Sequence, residues 1–229
     1  MVGRGFFMKF LAFCFCFFPF FAWGENCPYP EKPVVNVFLQ ASEPVYSHAY
    51  SMEEFALFSQ ENKIESFSNH NADLRERGVT FFKLQSDLTL ETEAKRYKNG
   101  FCIYPKTLTI KIGFPKMIVL IGKKYKKTSC AYQEILKHEN THVLINYKTL
   151  EEFLPHLKEA QEKIMKTQKG TFTRNLFYEN SIKRKLTKNF MEKNTSFLSF
   201  LKSTLQKRNG KIDTLQSYQE LQNRCTDWD

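Results

Sequence analysis

One stretch of helical spacing constrains the fold of this chain more than any other feature. Residues 130–148 contain neither Gly nor Pro, and Ser129 directly before them is a suitable N-cap. On a helical wheel, His138, Glu139 and His142 fall within the same broad arc as the apolar residues of the stretch. Because buried imidazoles and carboxylates need partners, the fold must provide groups that satisfy these three side chains.

The three polar residues form a His-Glu-x-x-His motif. Residues four apart on a helix lie on the same face, so His138 and His142 can bind one Zn²⁺ ion. Glu139 can reach a zinc-activated water as general base without binding the metal itself. The sequence therefore predicts one zinc ion on the two histidines, with Glu139 as catalytic residue. Two core histidines that form hydrogen bonds to the backbone are the alternative.

The third protein ligand, which catalytic zinc normally has, is left open by the sequence. Glu162 lies 20 residues after His142 and is within reach only if the chain turns back near residues 149–155. Along a straight helix the same separation would be about 30 Å. Glu134, one turn before His138, is a candidate for a supporting hydrogen bond. Further candidates for the third ligand are His156, His48 and His70.

The first 24 residues have the pattern of an export signal. Arg4 and Lys9 precede an apolar run from Phe10 to Phe21, and Ala22-Trp23-Gly24 supplies small residues where a signal peptidase cleaves. The apolar run is short for a membrane span, and an uncleaved anchor is the alternative. We therefore expect a periplasmic or secreted protein with no stable transmembrane segment after signal removal.

Four cysteines remain after the predicted signal, and an even number in an oxidising compartment indicates two disulfides. Three connectivities are possible. We expect Cys102 to pair with Cys130, which would tie a strand to the start of the helix, and Cys27 with Cys225, which would join the chain ends. Binding of a metal by four thiolates is disfavoured, because the sequence has no C-x-x-C pair.

The mature chain is basic. The formal net charge is +10, and removal of Arg4 and Lys9 with the signal leaves +8. The densest basic runs are residues 123–127 and 183–185. For an exported protein, anionic cell-envelope polymers are more suitable partners than nucleic acid, and no nucleic-acid-binding motif accompanies these runs. A lysine-rich solvated surface is the alternative.

Strand patterns dominate the residues before the helix. Short strands are predicted at residues 34–39 and 78–84, and a short helix is predicted at residues 51–59. Residues 107–114 alternate cleanly between apolar and polar, which is typical of a half-buried strand. Gly113-Phe114-Pro115-Lys116 then predicts a turn, and residues 117–121 predict a returning strand. A small, mainly antiparallel sheet is the expected result.

Helical spacing dominates the rest of the chain. Either a second helix begins near Thr149, or one helix continues with a kink at Pro155. A long basic helix is predicted for residues 172–207, and Asp213 opens a last short helix that reaches Cys225. The order of strands first and helices afterwards favours an α+β fold.

Several of these segments together resemble one bacterial protein family. They are Asn99-Gly100-Phe101-Cys102, the apolar strands through Ile121, and Ser129-Cys130-Ala131-Tyr132 leading into His138-Glu139-x-x-His142. The similarity runs from about Val45 through His142 and includes the ending Cys225-x-x-Trp228. The family is uncharacterised, and its members are secreted and predicted to be zinc-dependent proteases with an HExxH motif.

This resemblance implies a zincin-like domain at residues 25–168, a helical C-terminal extension at residues 169–229 and a location in the bacterial envelope. The predicted function is that of an exported zinc metallopeptidase acting on a peptide or protein substrate. A degenerate zincin, which binds metal in the envelope without catalysis, is the first alternative. A basic adhesion or cell-wall-binding protein without metal is the second.

Overall fold

The structure, a computed structural model, describes residues 26–29, 32–66 and 77–228. The predicted signal peptide and His70 lie outside the described residues. The elements in chain order are β1 (Val34–Ala41), β2 (Val45–Ser47), α1 (Glu54–Asn62), β3 (Gly78–Tyr97), β4 (Gly100–Ile121), α2 (Cys130–Thr167), β5 (Thr171–Thr173), a 3-10 turn (Leu176–Tyr178), α3 (Glu179–Asn209) and α4 (Leu215–Gln222). The predicted α+β class is confirmed.

The sheet is organised around β4. Strand β3 pairs with β4 in antiparallel orientation along nearly its whole length. The opposite side of β4 pairs with β1 and β2 in parallel orientation and with β5 in antiparallel orientation. The sheet is therefore mixed, and the prediction of a mainly antiparallel sheet is wrong. Alternation of apolar residues shows which side chains face the core, but it carries no information about the direction of the neighbouring strand.

The turn predicted at residues 113–116 is also wrong, because β4 continues through it. The turn of the β3–β4 hairpin lies instead at Lys98, which has a φ of 51°. A register shift between Lys83 and Gln85 leaves one extra β4 residue in the segment that contains Pro115. Pro115 thus lies at a bulge, where its missing N–H costs no ladder hydrogen bond.

Helix α2 is a single helix of 38 residues that contains Pro155. As predicted, Ser129 caps it, and the Ser129 side chain accepts a hydrogen bond from the backbone N–H of Tyr132 (3.1 Å). The helix expected from residue 172 begins only at Glu179, because the residues before it pair with β4 as β5. No described helix combines the length and the apolar character that crossing a membrane requires.

Helices α2 and α3 cover one face of the sheet. The core between them contains residues from β4, α2 and α3, among them Leu108, Ile110, Ile112, Phe114, Leu150, Leu157, Phe190 and Leu201. Burial of each such side chain stabilises the fold by roughly 1.5–3 kcal/mol. The C-terminal helix α3 therefore shares its core with the sheet, and the domain boundary at residue 169 stays a prediction.

Within the described part of the chain, two disulfides join Cys27 to Cys102 and Cys130 to Cys225. Two disulfides were expected, but the predicted pairing of Cys102 with Cys130 and Cys27 with Cys225 is wrong. The cause is the length of β4, which has 22 residues; at about 3.3 Å per residue, its two ends lie roughly 70 Å apart. Cys102 is near the first end, whereas Cys130 follows the second, so these two cysteines cannot meet.

Candidate metal centre

Helix α2 presents its motif to the interior, as the wheel predicts. Glu139 and His142 are buried, and His138 is partly buried. The Nε2 atoms of the two histidines lie 3.3 Å apart, close enough for both to bind one ion. The regular helix between them accounts for this distance, because residues four apart lie one above the other.

Asp213, in the segment between α3 and α4, lies next to both histidines. Its Oδ1 lies 3.1 Å from His138 Nε2 and 3.0 Å from His142 Nε2. These three residues form a candidate metal-binding group. Bonds of about 2.0–2.1 Å to one ion, at bond angles of roughly 90–110°, separate ligand atoms by about 2.8–3.4 Å. The three observed distances fall in that range, so the geometry fits a bound metal ion.

The hydrogen bonding of the Asp213 carboxylate also favours a bound cation. Its Oδ2 atom is buried and has no hydrogen-bond partner among the described residues. Its Oδ1 atom accepts a hydrogen bond from the hydroxyl of Tyr218 (3.2 Å). A buried carboxylate with one oxygen left without a donor is costly unless a positive charge compensates it. A metal ion between the histidines and this carboxylate would supply that charge.

Asn209, the last residue of α3, fixes the orientation of His142. Its Oδ1 atom accepts a hydrogen bond from His142 Nδ1 (2.7 Å). Its Nδ2 atom donates to Asn146 Oδ1 (2.8 Å) and to the carbonyl oxygen of Leu205 (2.9 Å). Because the amide oxygen can only accept, the proton of neutral His142 lies on Nδ1 and leaves Nε2 free for a metal.

Glu139 lies beside the group and is not part of it. Its Oε2 atom accepts a hydrogen bond from the hydroxyl of Thr80 on β3 (2.7 Å). The neighbouring Gly78 leaves room for it, because a Cβ there would lie 3.0 Å from Glu139 Oε1 and 2.5 Å from Ile135 Cγ2. Burial raises the pKa of the Glu139 carboxyl, and the nearby His142 and His138 act in the opposite direction.

Without a metal, the group holds an ion pair. Burial lowers the pKa of His142, but the hydrogen bond to Asp213 and the charges of Glu139 and Asp213 outweigh it and raise this pKa to about 9. Burial raises the pKa of Asp213, but the hydrogen bonds to His138 and His142 outweigh it and lower this pKa to about 2. A metal ion on these atoms would therefore take the place of the proton on His142 Nε2.

A small cavity adjoins the group on the side of the sheet. Its volume of about 10 Å³ is sufficient for one water molecule. The residues that line it include Gly78, Thr80, Glu139, His142, Asn146, Asn209 and Tyr218. On the solvent side, an open groove of about 340 Å³ between α2 and α4 has His138 in its wall. The group therefore has a water-sized space beside Glu139 and an open groove beside His138.

The third-ligand candidates from the sequence lie elsewhere. Because α2 does not turn back, Glu162 is about 30 Å along the helix from His142, and exposed His156 is about 21 Å along it. His48 packs edge-to-face against Tyr132 with ring centroids 5.2 Å apart and does not join the group. His70 lies outside the described residues.

Glu134 does not support His138. Instead, its Oε2 atom accepts a hydrogen bond from Arg224 Nη1 (2.8 Å). Asp213 was interpreted from the sequence as the opening of the last helix, yet Thr214 is the residue that caps α4. That cap leaves the Asp213 carboxylate available, but no periodicity in the sequence connects it to the motif on α2.

Comparison with protein-family models, curated proteins and solved structures finds no match to this chain. The resemblance to secreted HExxH proteases therefore stays a prediction, and the function must be inferred from the site itself.

Proposed function

We propose that this protein is an exported zinc-dependent metallopeptidase, with zinc on His138, His142 and Asp213 and with Glu139 as general base. The observation that carries the proposal is the convergence of these three ligand atoms beside a water-sized cavity that Glu139 also lines. Two histidines and one carboxylate are a common donor set for catalytic zinc. Among the described residues, no fourth His, Cys, Asp or Glu joins the group, which is consistent with a free position for a substrate or water.

The chain's own residues have distinct roles in this proposal. Zinc, when bound, supplies a Lewis acid that polarises a water molecule and the scissile carbonyl. Glu139 accepts the proton of the water in the cavity and passes it to the leaving amine. The Thr80 hydroxyl holds the Glu139 carboxylate through a hydrogen bond of 2.7 Å. Asn209 holds His142 in the tautomer that binds metal.

The groove between α2 and α4 is the route by which a peptide would approach. It reaches His138 from solvent, and its other lining residues include Lys137, Thr141, Lys211, Ser217 and Glu220. The cavity beside Glu139 holds only about one water molecule. A peptide carbonyl must therefore enter from the groove, with α4 moving aside from the ligand group.

The second candidate function is a non-catalytic metal-binding envelope protein. The observation that favours it is the enclosure of the group, since Glu139, His142 and Asp213 are only 4%, 7% and 7% exposed. In this case the metal would link α2 to the C-terminal segment and stabilise the fold, as structural zinc does. Both candidates place the protein outside the cytoplasm, which is compatible with its two disulfides. Anionic envelope polymers remain proposed partners for the basic surface.

Elemental analysis of the purified, disulfide-bonded protein tests the common part of both candidates. We expect one zinc ion per chain, whereas a preparation that takes up no zinc would contradict both. Iron in place of zinc would contradict the zinc assignment alone, because two histidines and a carboxylate also form Fe(II) sites.

Peptide cleavage then separates the two candidates. A Glu139→Gln variant should keep its zinc and lose activity by about 10²- to 10⁴-fold, the usual contribution of a general base. Glu162→Gln, on the same helix but far from the group, is the matched control and should cleave like the wild type. Cleavage by Glu139→Gln at the wild-type rate, or no cleavage by any form, would favour the non-catalytic candidate.

A further inference from the structure

The two edges of the sheet differ sharply in charge. The edge strand β3 carries charged side chains along its length, namely Lys83, Asp87, Glu91, Glu93, Lys95 and Arg96. Charges of this kind prevent an edge from pairing with another chain. The opposite edge strand β1 has the sequence VVNVFLQA, with no charge, Pro or Gly. It therefore lacks the features that normally protect an edge.

The structure describes no strand that pairs with the outer side of β1. Among the described residues, β1 pairs with β4 alone. The N–H of Ser42 donates to the carbonyl oxygen of Phe114 (3.2 Å), which shows that even-numbered residues here point to β4. Because backbone groups alternate along a strand, the N–H and C=O groups of the odd-numbered residues point outward. Those residues are Val35, Val37, Leu39 and Ala41.

Large apolar side chains accompany these outward-pointing groups. Val34, Phe38 and Leu39 are 48%, 53% and 40% exposed. Exposed apolar side chains beside an open strand edge are typical of an interface.

The chemistry of β1 is nearly palindromic about Phe38. Residues at equal distances before and after Phe38 form chemically similar pairs. Moving outward, these are the apolar pair Val37 and Leu39, the amide pair Asn36 and Gln40, and the small or branched apolar pair Val35 and Ala41. In an antiparallel pairing of two copies centred on Phe38, each residue faces its chemical counterpart. The outward-pointing groups of the odd-numbered residues then form the hydrogen-bonded pairs of the ladder.

We propose that β1 is a dimerisation edge, at which two copies of this chain pair in antiparallel orientation about a two-fold axis through Phe38. Such an isologous contact requires a self-complementary surface, which the palindromic strand supplies. It also places an uncharged strip between two chains that otherwise carry a large positive net charge. The nearest charged residues, Lys32 and Glu43, flank the strand at its two ends, so each lysine lies toward the glutamate of the other copy.

Sedimentation equilibrium of the disulfide-bonded protein tests this interface, and we expect a dimer. Phe38→Lys places two like charges on the axis and should weaken the dimer by about tenfold or more. Phe177→Lys is the matched control, because Phe177 is 84% exposed and lies outside β1. It should dimerise like the wild type, and circular dichroism should show both variants folded.

A mixture of two variants tests the position of the axis. Phe38→Lys and Phe38→Glu should each be monomeric alone and should form a mixed dimer together, because residue 38 of one copy faces residue 38 of the other. A monomeric wild type, a Phe38→Lys variant that dimerises normally, or a mixture that stays monomeric would each overturn the proposal.

Discussion

The two sides of the candidate metal-binding group are built in different ways. His138 and His142 lie one turn apart on α2, so the helix alone fixes the distance between their Nε2 atoms. Asn209 is the last residue of α3 and Asp213 lies in the segment that follows it. They contact the histidines across 67 and 75 residues of sequence. The helical side is thus set by local geometry, whereas the C-terminal side depends on the docking of a distant segment.

Several contacts hold the C-terminal segment in place. The disulfide between Cys130 and Cys225 ties it to the first turn of α2. Buried Leu221 anchors α4, and the Trp228 ring packs against Arg77 at 4.3 Å. Most other residues of this segment are exposed. Metal binding and the position of the C-terminal segment should therefore be coupled, because the ion would bridge the two sides.

The largest effect should come from loss of a ligand on either side. His142→Ala and Asp213→Ala should each lower zinc affinity by more than about 100-fold, the upper limit usual for residues that only support a ligand. Zinc titration with a competing chelator measures this affinity, and His156→Ala on the same helix is the control. If Asp213→Ala binds zinc as tightly as His156→Ala, the C-terminal side does not contribute a ligand.

A smaller effect should come from the residue that orients His142. Asn209→Ala removes the acceptor for His142 Nδ1 and should lower zinc affinity by about 10- to 100-fold. Asn209→Asp retains an acceptor at this position and should bind zinc more tightly than Asn209→Ala. The same chelator titration measures both affinities. Equal zinc affinities for the two variants would mean that the hydrogen bond from His142 Nδ1 to residue 209 has no role in metal binding.

The two disulfides should differ in their influence on the metal. Replacement of Cys130 and Cys225 by Ser frees the segment that carries Asp213. Zinc binding would then have to order this segment. Ordering even one residue costs roughly 1–2 kcal/mol, which lowers zinc affinity by about tenfold. Replacement of Cys27 and Cys102 by Ser should lower stability by about 2–5 kcal/mol and leave zinc affinity nearly unchanged. Thermal unfolding and zinc titration of both double variants measure the two quantities, and equal losses of zinc affinity would contradict this difference.

The smallest effect is expected at the ion pair between Glu134 and Arg224. Their side chains are 22% and 50% exposed, and such pairs contribute roughly 0–1 kcal/mol. Glu134→Gln should therefore change zinc affinity by less than about fivefold, because the residue supports the C-terminal segment and not His138. If Glu134→Gln loses as much zinc affinity as Asn209→Ala, Glu134 does support His138, as the sequence predicts.

Local patterns in the sequence were sufficient for part of the fold. The helix cap at Ser129, the inward face of His138, Glu139 and His142, and the strand character of residues 107–114 all depend on neighbours within a few positions. The turn predicted at residues 113–116 failed for the same reason. Gly and Pro signal a turn locally, but a bulge accommodates the same residues when the partner strand continues.

Helical periodicity is a local property, so it was sufficient to predict that a helix turns two histidines and a glutamate toward the interior. Which group meets these side chains depends on the tertiary structure. Asp213 has no periodic relation to α2, and its position depends on how α3 packs against the sheet and on the disulfide between Cys130 and Cys225. The pairing of the cysteines was likewise decided by the length of β4. Long-range contacts of this kind depend on the whole fold, and short sequence patterns do not specify them.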